Sequence, residues 1–180
     1  LKLNDSIDLV IPRGGSGLIR KVIAESTIPV IAHDAGVCHV FLDESADPDM
    51  AVGIVHESKL RQMPVCNGLE TLLCHRGAST TVLPNVLKDL HEHGVEIRGC
   101  ATTCEVFGDA VPAAEADWAE EFLAPVLAVR VVDSMDVAID HIRTYGSDHT
   151  EIIVTESYTN SQNWLRRVNS STVGVNCATG

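Results

Sequence analysis

The sequence predicts an α/β fold with a mostly parallel sheet and flanking helices. Three observations support this. Short apolar segments rich in β-branched residues alternate with segments of helical periodicity. Segment 125–132 is almost continuously apolar, as strands buried in parallel sheets are. Helix-start and helix-stop residues stand at segment boundaries, such as Ser134 before one helical segment and Gly146 after it. Strands separated by helices are typical of a parallel sheet.

In the first third of the chain, a glycine-rich turn at 14–17 follows one predicted strand and opens a helix. Asp47 and Pro48 are typical of a helix N-cap and first helical position, and that helix is expected to end near Ser58. The predicted strands in this part are 7–11, 28–32 and 37–42.

The rest of the chain repeats the alternation. A helix is predicted over 79–93, with Gly94 ending it. Segment 99–115 shows no clear period, so an irregular loop or insertion is expected there. The remaining predicted strands are 69–75, 95–97, 125–132, 151–155 and 172–175, and the remaining helices lie between Ser134 and Gly146 and over 159–168.

Composition narrows the function. With 180 residues, of which 45% are hydrophobic, the chain is long enough for one domain with a sizeable core. The 25 acidic residues against 13 basic ones give a net charge of −12, which argues against nucleic acid and anionic membranes as partners. No apolar run is long enough to span a membrane, and the first residues are not a signal peptide. The expected compartment is the cytoplasm.

The cysteines do not predict a metal site. The six cysteines show no C-x-x-C pair, so reduced thiols are expected. Cys100 and Cys104 lie near His91 and His93, but no second closely spaced ligand pair accompanies them. A structural zinc site is therefore not predicted.

Cys66 is the most informative single residue. It lies between the turn residue Pro64 and the polar pair Asn67-Gly68, and an apolar run follows at once. A nucleophilic thiol must be reachable and its charge stabilised, as at such a loop edge. A free cysteine is more often a small packing residue, so the residues alone leave both interpretations open.

The segment 64–75 resembles the active-cysteine segment of the gamma-glutamyl phosphate reductases (glutamate-5-semialdehyde dehydrogenases), a branch of the aldehyde dehydrogenase superfamily. Gly68 and Cys74 replace the alanine and valine usual in that family. The similarity runs nearly from end to end. Further blocks that match the family in order are 8–15, 28–33, 36–43 and 120–129.

The resemblance implies a domain organisation. Residues 1–62 would be the C-terminal part of a Rossmann-like cofactor-binding domain, and 63–180 a catalytic cysteine domain truncated at its end. Because the family's enzymes are longer at both ends, the chain looks like a fragment, and it is expected to bind NADPH weakly and to turn over negligibly by itself.

The implied reaction is the NADPH-dependent reduction of L-glutamyl 5-phosphate to L-glutamate 5-semialdehyde and phosphate, in proline biosynthesis. Cys66 would form a cysteinyl thioester. Asn67 could help to stabilise the oxyanion, although a turn role is the more ordinary one. His33 falls where aldehyde-oxidising relatives carry a water-activating glutamate, and a strand-capping role stays open for it.

Two segments would bind the cofactor. Glu121 matches the superfamily glutamate that accepts hydrogen bonds from the nicotinamide ribose, with Glu120 as its rival in the same acidic run. Arg13, Gly14, Gly15 and Ser16 form a turn that could approach a phosphate, although tight turns use the same residues.

The resemblance also suggests partners and alternatives. L-glutamyl 5-phosphate would be the substrate, glutamate 5-kinase a partner, and the full-length enzyme a homo-oligomer. Alternatives within the enzymes are the reductase half of a bifunctional kinase–reductase and another acyl-thioester relative. An alternative of another class is a non-catalytic α/β oligomerisation module, because half of the cofactor site would lie outside the chain.

Overall fold

A computed structural model of the chain describes residues 1–32, 36–61 and 63–180. The chain divides into two compact units, residues 1–35 and 36–180. Strand β1 (Cys38–Leu42) and helix α2 (Pro48–Leu60) therefore belong to the second unit. The assignment of residues 1–62 to a cofactor-binding domain concerns function and stays a prediction.

The first unit contains one helix, α1 (Ser16–Glu25), among its described residues. Val10 and Val30 form a single parallel bridge, in which the Val10 amide donates to Pro29 at 2.9 Å and the Ile31 amide donates to Val10 at 3.0 Å. The predicted strands at 7–11 and 28–32 are therefore wrong as full strands. A strand persists only where successive residues have a hydrogen-bonded neighbour, and here one pair does.

The second unit is built on a seven-stranded sheet in the order β4-β3-β5-β2-β1-β6-β7, and all pairings are parallel. The α/β prediction is confirmed. Its strands are β1 (Cys38–Leu42), β2 (Leu69–His75), β3 (Glu96–Gly99), β4 (Val111–Pro112), β5 (Val126–Val132), β6 (Thr150–Val154) and β7 (Thr172–Val175). Its helices are α2 (Pro48–Leu60), α3 (Leu83–Glu92), α4 (Ala101–Val106), α5 (Met135–Tyr145) and α6 (Tyr158–Arg167).

Both faces of the central strands are buried. Successive strand residues point to opposite faces, so Val40 and Leu42 pack with α2 and α3, whereas Phe41 packs with α5 and α6. On the second face the rings of Phe41 and Trp164 stack with centroids 5.6 Å apart. Burial on two faces explains the nearly continuous apolar character of β5.

The helix boundaries follow local capping. The Asp47 side chain accepts from the Met50 amide at 2.8 Å, and Ser134 accepts from the Val137 amide at 3.3 Å, so both predicted N-caps are confirmed. Gly94 follows α3 with φ of 81°, in the left-handed region that glycine tolerates.

Two predictions in the middle of the chain are wrong. Helix α3 begins at Leu83 rather than at 79, because Ser79 closes a short 3₁₀ turn by donating to the Arg76 carbonyl at 2.7 Å. Pro84 then occupies the first turn of α3, where no amide hydrogen is needed. The segment predicted to be irregular, 99–115, contains helix α4 and the short strand β4.

Candidate active site

The loops before three neighbouring strands carry the predicted catalytic residue and one predicted cofactor ligand. Gly36 precedes β1, Cys66 precedes β2 and Glu121 precedes β5, and these strands are adjacent in the order β5-β2-β1. Because the strands are parallel, the three loops meet at the amino edge of the sheet. The candidate site thus lies opposite the carboxyl edge, where open α/β sheets more often bind ligands.

Cys66 is held by its backbone, and its side chain is exposed. The Gly68 amide donates to the Val65 carbonyl at 2.9 Å and closes the turn around it. The Cys66 carbonyl lies so close to Gly36 that a Cβ on residue 36 would stand 1.9 Å from the oxygen. Glycine at position 36 is therefore what permits β1 and the cysteine loop to approach each other.

Cys66 differs from the two cysteines in the adjacent strands. Cys38 and Cys74 are buried, and burial raises the pKa of each thiol to about 12. Cys38 donates its S–H to the Cys66 carbonyl at 3.3 Å and so supports the loop as a neutral thiol. Of the described cysteines, Cys66 and Cys177 are exposed, and Cys66 is the one that lies where the three loops meet.

Glu121 contacts Gly36, the glycine that packs on the Cys66 loop. Its Oε1 atom accepts from the Gly36 amide at 2.8 Å, and its side chain is partly buried, whereas Glu120 is exposed. Among the described residues, only Gly36 donates to the Glu121 carboxylate, which leaves acceptor capacity on the second oxygen. The contact joins the carboxylate to the glycine that packs on Cys66.

A buried ion pair holds the loop of Glu121 against the strand that follows Cys66. Lys59 Nζ lies 2.8 Å from Glu70 Oε2, and both side chains are at most 1% exposed. Glu70 Oε1 accepts from the Leu123 amide at 3.0 Å, and Leu123 has a left-handed φ of 49°. Burial raises the pKa of Glu70 and lowers that of Lys59, and their mutual attraction opposes both shifts.

Asn67 lines a cleft beside the Cys66 loop. The cleft is also lined by Glu57, Arg61, Thr179 and Gly180. The Thr179 amide donates to the Ser58 hydroxyl at 3.1 Å, which fixes the end of the chain against α2. In this cleft Arg61 pairs with Glu57 at 3.1 Å, so the charges of these two lining residues balance.

The predicted phosphate-binding turn lies in the first unit. Arg13, Gly14 and Gly15 are exposed and lead into α1, of which Ser16 is the first residue. Gly14 has φ of 149°, and Gly15 is the N-cap, with no side chain capping the helix. His33 lies outside the described residues.

Cys100 and Cys104 make hydrogen bonds to the backbone near α4 and the sheet. Cys100 Sγ accepts from the Val131 amide at 3.4 Å, and Cys104 Sγ lies 3.5 Å from the Gly99 carbonyl. Within the described part of the chain, neither cysteine belongs to a group of three residues that could hold a metal. Their pattern in the sequence thus reflects local hydrogen bonding.

Sequence reasoning did not single out Gly36 or Lys59. Gly36 begins one of the quoted family blocks, but the need for glycine there comes from a contact with a residue 30 positions away, which no local pattern shows. Lys59 lies in the last turn of α2, where a lysine ordinarily complements the helix dipole in solvent.

Membrane insertion receives no support from the helices. Within residues 1–32, 36–61 and 63–180, none of them combines the length and the apolar character that a membrane crossing requires.

Comparison with known proteins shows what the chain is similar to. No family profile matches the chain. A gamma-glutamyl phosphate reductase of Desulfatibacillum aliphaticivorans is 52% identical over 179 residues, which are 99% of this chain and 43% of that protein. The chain is related to gamma-glutamyl phosphate reductases. The crystal structure of such a reductase from Thermotoga maritima superposes with a TM-score of 0.95 at 42% identity, covering 99% of this chain and 43% of that one.

More distant structures share the fold. An acetylating aldehyde dehydrogenase from Geobacillus thermoglucosidasius superposes with a TM-score of 0.71 at 20% identity, over 96% of this chain and 46% of that one. An engineered glycolyl-CoA reductase with bound NADP+ superposes with a TM-score of 0.70 at 15% identity, over 96% of this chain and 47% of that one. The aldehyde-dehydrogenase-like fold is thereby confirmed. The chain spans less than half the length of the gamma-glutamyl phosphate reductases it matches.

Proposed function

We propose that this chain supplies the nucleophilic cysteine of a gamma-glutamyl phosphate reductase, which reduces L-glutamyl 5-phosphate to L-glutamate 5-semialdehyde and phosphate with NADPH. The observation that supports this most is the meeting of Cys66 and Glu121 at Gly36. An exposed thiol and a carboxylate with free acceptor capacity are held on two sides of one glycine. The 52% identity to a named reductase supports the same activity.

Cys66 acts as the nucleophile in the first step of the proposed reaction. Its thiolate attacks the acyl carbon of the acyl phosphate, the carbon–oxygen bond to phosphate breaks, and inorganic phosphate leaves. A thioester between Cys66 and the glutamyl group remains. The loop around Cys66 is fixed by the Gly68 turn and by the Cys38 S–H, so the sulfur needs little rearrangement before attack.

The cofactor would supply a hydride to the thioester carbon. Glu121 has the chemistry to hold its ribose, since a carboxylate oxygen accepts from vicinal hydroxyls and Gly36 occupies only the other oxygen. The resulting thiohemiacetal collapses on Cys66, releases the aldehyde and restores the thiolate. Arg13, Gly14, Gly15 and Ser16 would contact the cofactor's phosphates, as glycine turns before helices do.

Asn67 and His33 keep their proposed supporting roles. Asn67 would present its amide to the substrate from the cleft beside the Cys66 loop. His33 would occupy the position at which oxidising relatives activate water. We also propose that residues 1–62 belong to the cofactor-binding domain and 63–180 to the catalytic domain. The full-length enzyme would be a cytoplasmic homo-oligomer with glutamate 5-kinase as a partner.

The test uses the reverse reaction in the full-length protein that carries this chain. Glutamate 5-semialdehyde should reduce NADP+ beyond one equivalent per active site only when phosphate is present, because phosphate is the acceptor that releases the acyl group from Cys66. Cys66→Ser should abolish this reaction and leave the melting temperature nearly unchanged. Cys177→Ser is the matched control, since Cys177 is also exposed. Phosphate-dependent turnover that survives in Cys66→Ser would refute the proposal.

A further inference from the structure

We propose that His56, Asp89 and His93 form a binding site for a divalent transition-metal ion, of the borderline class of Zn²⁺, Co²⁺ and Ni²⁺, between helices α2 and α3. One ligand atom from each of these three residues lies within 4.8 Å of the other two. This proposal does not depend on the proposed enzymatic function. It also departs from the sequence analysis, in which no metal site is predicted.

The two helices bring the ligands together from separate parts of the chain. Asp89 and His93 are four residues apart on α3 and its C-cap, so they face the same side of that helix. His56 lies on α2, and α2 and α3 pack side by side on the sheet through apolar residues that include Val55 and Val86. The backbone positions of the site are therefore fixed by the core rather than by a loop.

The distances suit a metal ion in place of a shared proton. His56 Nδ1 lies 2.8 Å from Asp89 Oδ2, and His93 Nδ1 lies 3.7 Å from Asp89 Oδ1. Bonds of about 2.0–2.1 Å in tetrahedral geometry place two ligand atoms about 3.3 Å apart. The two separations to Asp89 lie on either side of that value, and every pair of ligand atoms lies within 4.8 Å, so side-chain movements of roughly 0.5–1.5 Å would bring the ligands to it.

The rings are free to make this adjustment. The side chains of His56, Asp89 and His93 are 39%, 24% and 50% exposed, so an ion and its remaining water ligands can enter. The imidazoles of His56 and His93 meet edge to face with centroids 4.9 Å apart. His93 Nδ1 also contacts the Asp89 carbonyl at 2.7 Å, so binding of the ion through Nδ1 would replace this hydrogen bond.

The donor set selects the class of ion. Two imidazoles and one carboxylate suit zinc, cobalt, nickel and copper, whereas magnesium and calcium prefer sites made of oxygen alone. The net charge of −12 favours cation binding without selecting among cations. Because the ion would join α2 to α3, it would act as a staple between two helices that cover one face of the sheet.

Cobalt(II) absorption titration tests the site, because the spectrum separates nitrogen and oxygen ligands from the thiolates of the six cysteines. We expect one equivalent to give visible ligand-field bands with no thiolate-to-cobalt charge transfer. His56→Ala and His93→Ala should each weaken binding by about tenfold or more. His91→Gln is the matched control: His91 is exposed on the same helix, outside the cluster, and its loss should leave the titration unchanged.

Thermal denaturation of the protein without substitutions is a second readout, which applies even if a variant fails to fold. In the unchanged protein, zinc at a free concentration a hundredfold above its Kd should raise Tm by roughly 5–10 °C, and His93→Ala should lose that rise. The absence of one-equivalent binding, a charge-transfer spectrum from thiolates, or undiminished binding in His93→Ala would each overturn the proposal. Magnesium at the same concentration should leave Tm unchanged.

Discussion

The substitution Gly36→Ala probes the contact on which the candidate site is built. A Cβ at position 36 would stand 1.9 Å from the Cys66 carbonyl oxygen, 2.8 Å from its carbonyl carbon and 3.0 Å from its Cα. Since Cβ contacts under 3.0 Å essentially never occur, the carbonyl oxygen must move by about 1.1 Å or more. All three atoms belong to the Cys66 backbone, so no side-chain rotation relieves the clash.

The displacement carries the sulfur with it. Misplacing a reacting group by about 1 Å costs on the order of a hundredfold in rate, so we expect kcat/KM to fall about 100-fold in Gly36→Ala. Overpacking costs about 1–3 kcal/mol, which is less than the stability of a typical domain, so the variant should still fold. The Gly36 amide also donates to Glu121, so the KM for NADP+ should rise in the same variant.

Phosphate-dependent NADP+ reduction in the full-length protein measures this effect, and a thermal melt checks the fold. Gly53→Ala is the control: Gly53 lies in α2 with nothing within 4 Å of the new Cβ. That change should leave activity intact and stabilise the helix by about 0.5–1 kcal/mol. A folded Gly36→Ala variant whose kcat/KM stays within about threefold of the parent value would refute the reasoning.

Three further predictions concern the residues around this contact and the second face of the sheet. Glu121→Gln should raise the KM for NADPH about tenfold or more through the loss of a charge-assisted hydrogen bond, while the exposed control Glu120→Gln should not. Equal effects of the two variants in steady-state kinetics would contradict the assignment of the cofactor contact to Glu121. Lys59→Met should lower the free energy of unfolding, measured by urea denaturation, by about 3–5 kcal/mol, because it leaves the Glu70 carboxylate buried without its partner. Adding Glu70→Gln should restore part of this loss, and a double variant no more stable than Lys59→Met would contradict the reasoning. Burial lowers the pKa of His141 from 6.5 to about 3, so the unfolded chain takes up a proton on this ring at a higher pH than the folded protein does. The free energy of unfolding should therefore fall by on the order of 4 kcal/mol as the pH drops from 6.5 towards 3. In His141→Gln the free energy of unfolding should depend less on pH, and an unchanged dependence would count against a buried neutral ring.

Much of the second unit can be predicted from the sequence because its elements agree with local rules. Strand β5 is buried on both faces and is a nearly continuous apolar run in the sequence. Asp47, Ser134 and Gly94 end or begin helices by chemistry that is visible in the sequence. The prediction at 7–11 is wrong because an apolar run shows the preference for a strand but not whether a neighbouring strand is present. The predicted start of α3 at 79 is wrong because the Ser79 turn competes with helix initiation.

The candidate site is less accessible to sequence reasoning, since its contacts join residues far apart in the chain. The resemblance to reductases points to Cys66 and Glu121, but nothing local shows that both pack on Gly36. The buried pairing of Lys59 with Glu70 likewise follows from the packing of α2 on β2. Such contacts are properties of the fold, and strand order is what brings them together.

The most direct test of the central claim is to trap the acyl group on the sulfur. The full-length protein would be mixed with glutamate 5-semialdehyde and NADP+ without phosphate, quenched in acid and mapped by peptide mass spectrometry. The account predicts one γ-glutamyl group on the Cys66 peptide, removed by hydroxylamine as thioesters are, together with one equivalent of NADPH. A γ-glutamyl group on another cysteine, or NADPH formed with Cys66 unmodified, would contradict it.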